Sequence, residues 1–511
     1  MDRSILLDRD ADAPLYRQIA ADLVASIRSG ARSPGERLPA TRELAQELGV
    51  NRITVQLAYR HLQDEGWIRS HVGQGSFVAA QPPGTAAESA ARDGVVRASA
   101  EPRAERSLCT AAVERLFERA RSRAAWPEVG SDAIDFSGRV PDERLFDVDG
   151  FRHAVDRALA LRGAELLQYG PPAGDEGLRS WIAERLRSRG IAAQAADVLL
   201  VNGAQQGLSL VAQSLASSGE RVACERPTYH QALDIFGGLG LRVAGLPLGE
   251  RGPSVAHLQE LLRADRPRLL YTMPEFQNPT GTTQAPETRR ALVEAAASAG
   301  VPLVEDDFEH ELRFRGTTPL ALAAHPGARH VIHLGTFSKG LFPGVRVGWI
   351  HAAPALLARI AQLKRTLDLG GGTLIQAALG EFVATGAYER HLEVLRRSLA
   401  QKHAAAQEAL QRHFAGRARW TAPDGGYGVW VELEESVDAP RLQRHAAREG
   451  VVYTPGELFY DTPPERTCLR LSLSRVDVER IEPGLQRLAR ALDGARRAIG
   501  FRSPASAMPV L

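Results

Sequence analysis

The sequence predicts two folded parts of different class. The first is a small, mainly α, winged helix-turn-helix at the N-terminus. The second is a large α/β body with a mostly parallel central sheet and a smaller C-terminal α+β part. Three observations predict this. The chain has 511 residues, too many for one ordinary core. Residues 14–80 hold three helical stripes followed by a glycine-rich alternation. Farther on, continuous apolar runs alternate with longer helical patterns, the order expected of strands joined by helical crossovers.

Composition narrows the functions. Hydrophobic residues make up 44% and charged residues 24%, as in globular domains. Sixty-three basic side chains face 61 acidic ones, a formal charge of +2, so any nucleic-acid site must be a local patch. Cys109, Cys224 and Cys468 are scattered, with neither zinc spacing nor a disulfide framework, as expected in a reducing cytoplasm. The N-terminus lacks the apolar run of a signal peptide, and no uninterrupted apolar segment reaches membrane-spanning length. The expectation is a cytoplasmic protein.

The first helix is read from "PLYRQIAADLVASIRSG", which opens at Pro14 and closes at Gly30. Leu15, Ile19, Leu23 and Ile27 recur every four residues on one stripe. "TRELAQELG" predicts a short second helix, capped by Thr41 and stopped by Gly49. "NRITVQLAYRHLQDEG" predicts a third, with Asn51 as its N-cap and Val55, Ala58, Tyr59 and Leu62 facing inward. Only Gly49 and Val50 separate the two, the tight spacing of a helix-turn-helix. "WIRSHVGQGSFVA" alternates around Gly73 and Gly75, a two-stranded wing.

The third helix is expected to offer Arg52, Thr54 and Gln56 to base edges. Arg37 and Arg42 are expected to reach phosphates, with His71 and Gln74 in the wing. Residues 1–80 carry ten arginines and ten acidic side chains, so tight binding calls for two heads acting together. The stretch "LPATRELAQELGVNRITVQLAYRHLQDEGWI" resembles the winged helix-turn-helix of the GntR family over nearly its full length. The DNA-binding unit is taken as residues 11–80. Residues 81–106, rich in proline, glycine, alanine and charge, read as a flexible linker.

In the body, "ADVLLVNGAQQGLSLVAQSLA" reads as strand, glycine turn and helix, while "PRLLYTMPEFQNPTG" and "VPLVEDDFEHEL" are buried-strand signals. In open parallel sheets ligands sit beyond the strand carboxyl ends. Those ends carry Gly203, Asn278, Asp306 and Lys339. Lysine is rare in this chain: Lys339, Lys364 and Lys402 are the only three, leaving 60 arginines. Deprotonated lysine can form a Schiff base with an aldehyde, which a guanidinium cannot. Lys364 and Lys402 are expected on the surface of amphipathic helices. Lys339 therefore points to a carbonyl cofactor, with pyridoxal 5'-phosphate the natural candidate. The "NGAQQG" turn would favour phosphate at a helix start. Asp306 would hold a pyridine nitrogen, Arg346 would pair with phosphate, and Thr336 would add a hydroxyl.

From about Ile134 to Leu492 the chain resembles a fold-type I, PLP-dependent, aminotransferase-like domain. The motifs "QYGPPAGDEGLRSWIA", "VNGAQQGL", "RPTYH", "FQNPTG", "VEDDFEHEL", "TFSKGLFPGVRVGW" and "CLRLSLS" carry the likeness. The resemblance implies that Lys339 joins the cofactor covalently and Asp306 bonds the pyridine nitrogen. It implies that Asn278 bonds the ring oxygen and Tyr229 stacks on the ring. Ala204 and Gln205 would offer backbone N–H groups to the phosphate, with Thr336 and Arg346 adding side chains. Tyr169 would reach the partner subunit's phosphate, and Arg470 would clamp an effector carboxylate. Phe308 departs from the family, which often has a tyrosine there.

A winged helix ahead of such a domain resembles the MocR subfamily of GntR-type bacterial regulators. That resemblance implies a homodimer, usually head-to-tail, binding double-stranded promoter DNA under the control of the cofactor, an amino acid or another amine. It places the domain at residues 107–511, with the cofactor-binding part at about 160–375 and the small part at about 376–495. The rival expectations are an aminotransferase acting on amino acids and 2-oxo acids, and a non-catalytic dimerising scaffold.

Overall fold

The computed structural model describes residues 14–28, 32, 35–64, 67–71, 75–79, 109–124 and 129–497. The linker at 81–106 lies outside them. The chain divides into a head, up to Leu108, and a body from Ala125 onward. Cys109–Arg119 group with the body and Ala120–Ala124 with the head.

In the head, α1 (Leu15–Arg28), α2 (Thr41–Glu47) and α3 (Arg52–Asp64) precede the hairpin of β1 (Ile68–His71) and β2 (Gly75–Val78). Ile19, Leu23 and Ile27 of the α1 stripe are buried against Leu44, Val55, Ala58 and Leu62. The turn between α2 and α3 is set locally. Gly49 takes φ 60°, a left-handed conformation that suits glycine. The Val50 N–H then returns to the Ala45 carbonyl at 3.0 Å and closes α2. Asn51 caps α3, its Oδ1 accepting from the Ile53 N–H at 2.9 Å. Helix α2 is capped differently from the expectation. Ala40 stands at the N-cap and Thr41 is already helical. The Glu43 carboxylate accepts from the Ala40 N–H at 3.1 Å, so a side chain one turn inside does the capping. The hairpin is antiparallel, with Ile68 opposite Val78 and His71 opposite Gly75.

After α4 (Ala111–Ala124), whose residues up to Arg119 group with the body, β3 (Ile134–Phe136) leads into α5 (Val148–Arg162) and α6 (Glu176–Ser188). Next come β4 (Val198–Val201), α7 (Ala204–Leu215), β5 (Arg221–Arg226), α8 (His230–Gly238), β6 (Arg242–Gly249), β7 (Gly252–Pro253) and α9 (Val255–Ala264). They are followed by β8 (Leu270–Thr272), α10 (Pro286–Ala299), β9 (Leu303–Asp306), β10 (Val331–Thr336), β11 (Gly348–His351), α11 (Pro354–Asp368) and α12 (Thr373–Ala384). Last are α13 (Ala387–Phe414), β12 (Ala418–Trp420), β13 (Gly428–Leu433), α14 (Ala439–Arg448), β14 (Val451–Pro455), β15 (Cys468–Ser472) and α15 (Val478–Arg497).

The large sheet has the order β4-β11-β10-β9-β8-β5-β6-β7. Strands β10, β9, β8, β5 and β6 pair in parallel, and β11 runs antiparallel to both β10 and β4. Strands β4, β8, β9 and β10 are buried along their whole length, which explains their continuous apolar runs. The smaller sheet has the order β12-β13-β15-β14-β3. Its last strand comes from the N-terminal side of the body, Ile134 pairing in parallel with Val451. The segment that follows β3 is thereby carried toward the large sheet. Among the described residues, no helix is long and apolar enough to cross a membrane.

Candidate cofactor site and DNA-binding face

Strand ends build the body's site. Lys339 follows β10, and its Nζ donates to the Arg139 carbonyl at 2.6 Å. Burial pushes the amine down to about pKa 8; Glu309 opposes the shift, and the Arg139 and Arg470 guanidiniums reinforce it. The Tyr427 hydroxyl donates to the Lys339 carbonyl at 2.6 Å and pins the backbone beneath it.

Asp306 ends β9. Its Oδ2 accepts from the Tyr271 hydroxyl at 2.6 Å. Its Oδ1 is buried with no hydrogen-bond partner among the described residues. Burial raises this carboxyl to about pKa 6, against the lowering effect of the Tyr271 bond. Immediately behind it, Asp307 is held the other way. Burial alone would raise it, yet Arg189 and His310 keep it well below the usual carboxylate range, and His333 Nε2 lies 3.1 Å from its Oδ2.

Arg470, on β15, is 5% exposed, so it is no surface arginine. Its Nη1 donates to Asn278 Oδ1 at 3.2 Å, and its Nη2 to the Ser137 carbonyl at 2.7 Å and Thr454 Oγ1 at 2.9 Å. Burial, and then Arg139 nearby, bring its pKa down to about 9. Tyr229 stands at the N-cap of α8 and donates its hydroxyl to Gln231 Oε1. Burial, followed by the negative charge of Asp306, raises the Tyr229 phenol.

Ala204 and Gln205 open α7 behind Gly203, which has φ 84°. A Cβ on Gly203 would sit 2.7 Å from Arg346 Nη2. Arg346 itself has φ 51° and donates to the Asn202 carbonyl at 2.9 Å. Thr336 Oγ1 lies 3.3 Å from the Val347 carbonyl and accepts from the Ser338 N–H at 3.1 Å. Tyr169 is 85% exposed.

Several site residues escaped the sequence reading. Arg139 and Glu309 form a buried, bidentate ion pair with bonds of 2.7 and 2.6 Å. The Arg139 guanidinium also packs on the Phe308 ring, 5.2 Å from its centroid. Ser338 Oγ, next to the lysine, is buried with no partner among the described residues. The hydroxyl in "TFSK" was its one sequence signal; Arg139 and Glu309 had none. The other two lysines also differ from expectation. Lys364 is 2% and Lys402 4% exposed. Their ammonium groups are paired, Lys364 with Asp368 at 2.9 Å and Lys402 with the Ser474 carbonyl at 2.7 Å.

Helix α4, the first described element after the linker, lies on α8. Arg119 Nε is 3.2 Å from Asp234 Oδ1. A Cβ on Gly238 would meet Leu116 at 2.9 Å, so the two helices are in close contact.

On the head, Arg37, Arg42, Arg52 and Gln56 are exposed. Thr54 is half-buried and less outward than expected, because it shares a side of α3 with Ala58, four residues on, which is buried in the head's core. His71 lies in β1 with its side chain outside the described residues, and Gln74 lies outside them entirely.

Residues 139–488 match the family "Aminotransferase class I and II", and residues 15–78 match "Bacterial regulatory proteins, gntR family". The chain is 31% identical to "Probable rhizopine catabolism regulatory protein MocR" of Rhizobium meliloti, over 95% of each chain. The chain belongs to the MocR subfamily of GntR-type regulators. A second relative of the same build is "HTH-type transcriptional regulator TauR" of Rhodobacter capsulatus, 31% identical over 96% of this chain and 99% of that one. The body alone is 37% identical to a 2-aminoadipate transaminase of Thermus thermophilus, over 71% of this chain and 90% of that one. A solved structure of LysN, an α-aminoadipate aminotransferase of Thermus thermophilus complexed with N-(5'-phosphopyridoxyl)-L-leucine, superposes with a TM-score of 0.67. It is 33% identical and covers 78% of this chain and 98% of its own. The MocR-type body thus has the fold-type I architecture.

Proposed function

We propose that this chain is a PLP-dependent, DNA-binding transcriptional regulator. Its head, residues 11–80, holds promoter DNA; its linker spans 81–106; and its body, 107–511, senses the cofactor and an amino-acid or amine effector. One observation carries this reading. The Lys339 amine, just past the end of β10, stands where the charges of the buried Asp306 and the buried Arg470 act on it, in a chain that also bears a GntR-type head.

Pyridoxal 5'-phosphate supplies an aldehyde that amines attack and a ring that withdraws electrons from the attacked carbon. The residues present fit it. Asp306 Oδ1, a buried oxygen without a partner among the described residues, suits a pyridine N–H. The Gly203 turn leaves space beside Arg346 that any side chain would fill. Ala204 and Gln205 begin α7, where backbone N–H groups lack intrahelical partners and favour phosphate. Thr336 and Arg346 would complete that cradle, Asn278 would meet the ring oxygen, and Tyr229 would cover the ring face. The partner subunit of a head-to-tail homodimer would receive Tyr169, whose exposure supports an intermolecular role.

The chain's own groups then do the following. Lys339 gives up its proton at moderate pH because burial disfavours the ammonium. Arg470, held by Ser137 and Thr454, would fix an effector carboxylate and keep Asn278 aligned. Tyr229 stands at the N-cap position of α8, and Asp234 of α8 pairs with Arg119 of α4, which follows the linker. That continuity supports the view that effector binding alters how freely the heads are held. Coupling of this kind requires the effector to favour one arrangement of the heads energetically.

The test is direct. Loading with pyridoxal phosphate should produce absorbance near the visible edge that Lys339→Ala abolishes. Titration with candidate amines should then change that spectrum together with retention of promoter DNA. A spectrum unaffected by Lys339→Ala defeats the assignment. A second reading, an aminotransferase, is favoured by the intact Lys339, Asp306 and Arg470 set. Multiple turnovers between an amino acid and a 2-oxo acid at ordinary enzyme rates would establish it.

A further inference from the structure

Helix α3 turns two large apolar side chains to the surface in the half expected to read bases. Ile53 is 62% and Leu57 44% exposed. They stand four residues apart and are therefore neighbours on one face. Arg52 and Gln56, beside them in sequence, are exposed as well. The opposite face, Val55, Ala58, Tyr59 and Leu62, is sealed in the head's core. The Asn51 cap fixes the first turn, and with it the direction of Ile53.

The surroundings indicate the partner. The first turn of α3 holds no acidic residue, carries Arg52, and presents the positive end of the helix dipole. An apolar stripe set in such a face suits a polyanion that also displays apolar groups. The major groove of duplex DNA meets that description, because thymine alone among the four bases projects a methyl group into it.

We propose that Ile53 and Leu57 read thymine 5-methyl groups in the major groove, beside hydrogen bonds made by Arg52 and Gln56. The stripe makes the site prefer A·T pairs, with thymine on a defined strand, at the positions it covers. This rests on the DNA-binding reading above and adds the determinant of base preference.

The experiment uses the full chain and a duplex library randomised over several helical turns. Enriched sites are resynthesised with uracil in place of individual thymines, which removes only the methyl group. Uracil should weaken binding about fourfold at each position that the stripe covers. Ile53→Ala and Leu57→Ala should bind random duplex about as well as the parent and lose the uracil penalty at their own positions. The uracil arm uses the unaltered protein, so it stands even if a variant folds poorly. Equal affinity for thymine and uracil throughout the site overturns the proposal and leaves the DNA-binding reading intact. So does an undiminished uracil penalty in both alanine variants. An altered oligomeric state with unchanged DNA binding in those variants would assign the stripe to a protein contact and overturn it too. No enrichment of any duplex would remove the DNA-binding reading itself.

Discussion

Covalent capture of pyridoxal phosphate by Lys339 should follow the ionisation of its amine. Only the neutral amine attacks an aldehyde. An ordinary lysine, with its pKa near 10.5, is about 0.03% neutral at pH 7. With burial bringing Lys339 to about 8, roughly 9% is neutral at that pH, a gain of about 300-fold. The perturbation is pH itself. Mixing unloaded protein with pyridoxal phosphate, and following absorbance near the visible edge, gives the capture rate. It should fall about tenfold between pH 7 and pH 6 and level off above pH 8 to 9. The sign follows from the cause, since burial penalises the ammonium and lowering the pH restores it. A rate that is flat from pH 6 to pH 8, or that still climbs steeply beyond pH 10, would refute the reasoning. Lys339→Ala should show no such phase at any pH.

Three further outcomes follow from the same geometry. Tyr271→Phe removes the donor that holds Asp306 ionised, so the Asp306 pKa should climb above 6 by about one to two units, as read by carboxyl-carbon NMR of the unloaded protein. An unmoved titration would assign the 2.6 Å contact no electrostatic weight. Glu309→Ala strands the Arg139 guanidinium in a buried site, and urea unfolding of the body should record a loss of about 3–5 kcal/mol; a loss under about 1 kcal/mol would mean the pair is solvated. In the head, Arg52→Ala should weaken binding to an enriched site more than to random duplex, whereas Arg37→Ala and Arg42→Ala should weaken both alike at one fixed salt concentration. Equal losses for Arg52→Ala would end its assignment to base edges.

What the sequence determined by itself is local. The Gly49 turn, the Asn51 cap, the inward stripe of α1 and the buried strands of the large sheet each depend on residues within a few positions of one another. Chain order likewise brings Asp306 and Lys339 to strand ends, because a parallel sheet with helical crossovers delivers successive carboxyl ends to one edge. Tertiary structure alone decided which groups face those residues. Arg139 meets Glu309 across 170 positions, and Arg470 meets Asn278 across 192. No periodicity connects them, since each pair joins a segment at the small sheet to a loop that follows a strand of the large one. Lys402 shows the same limit. Its helical pattern suited a solvated face, yet Ser474, 72 residues away, supplies the carbonyl that keeps the ammonium buried. Burial of a charge depends on a partner, and partners distant in sequence meet only when the sheets pack.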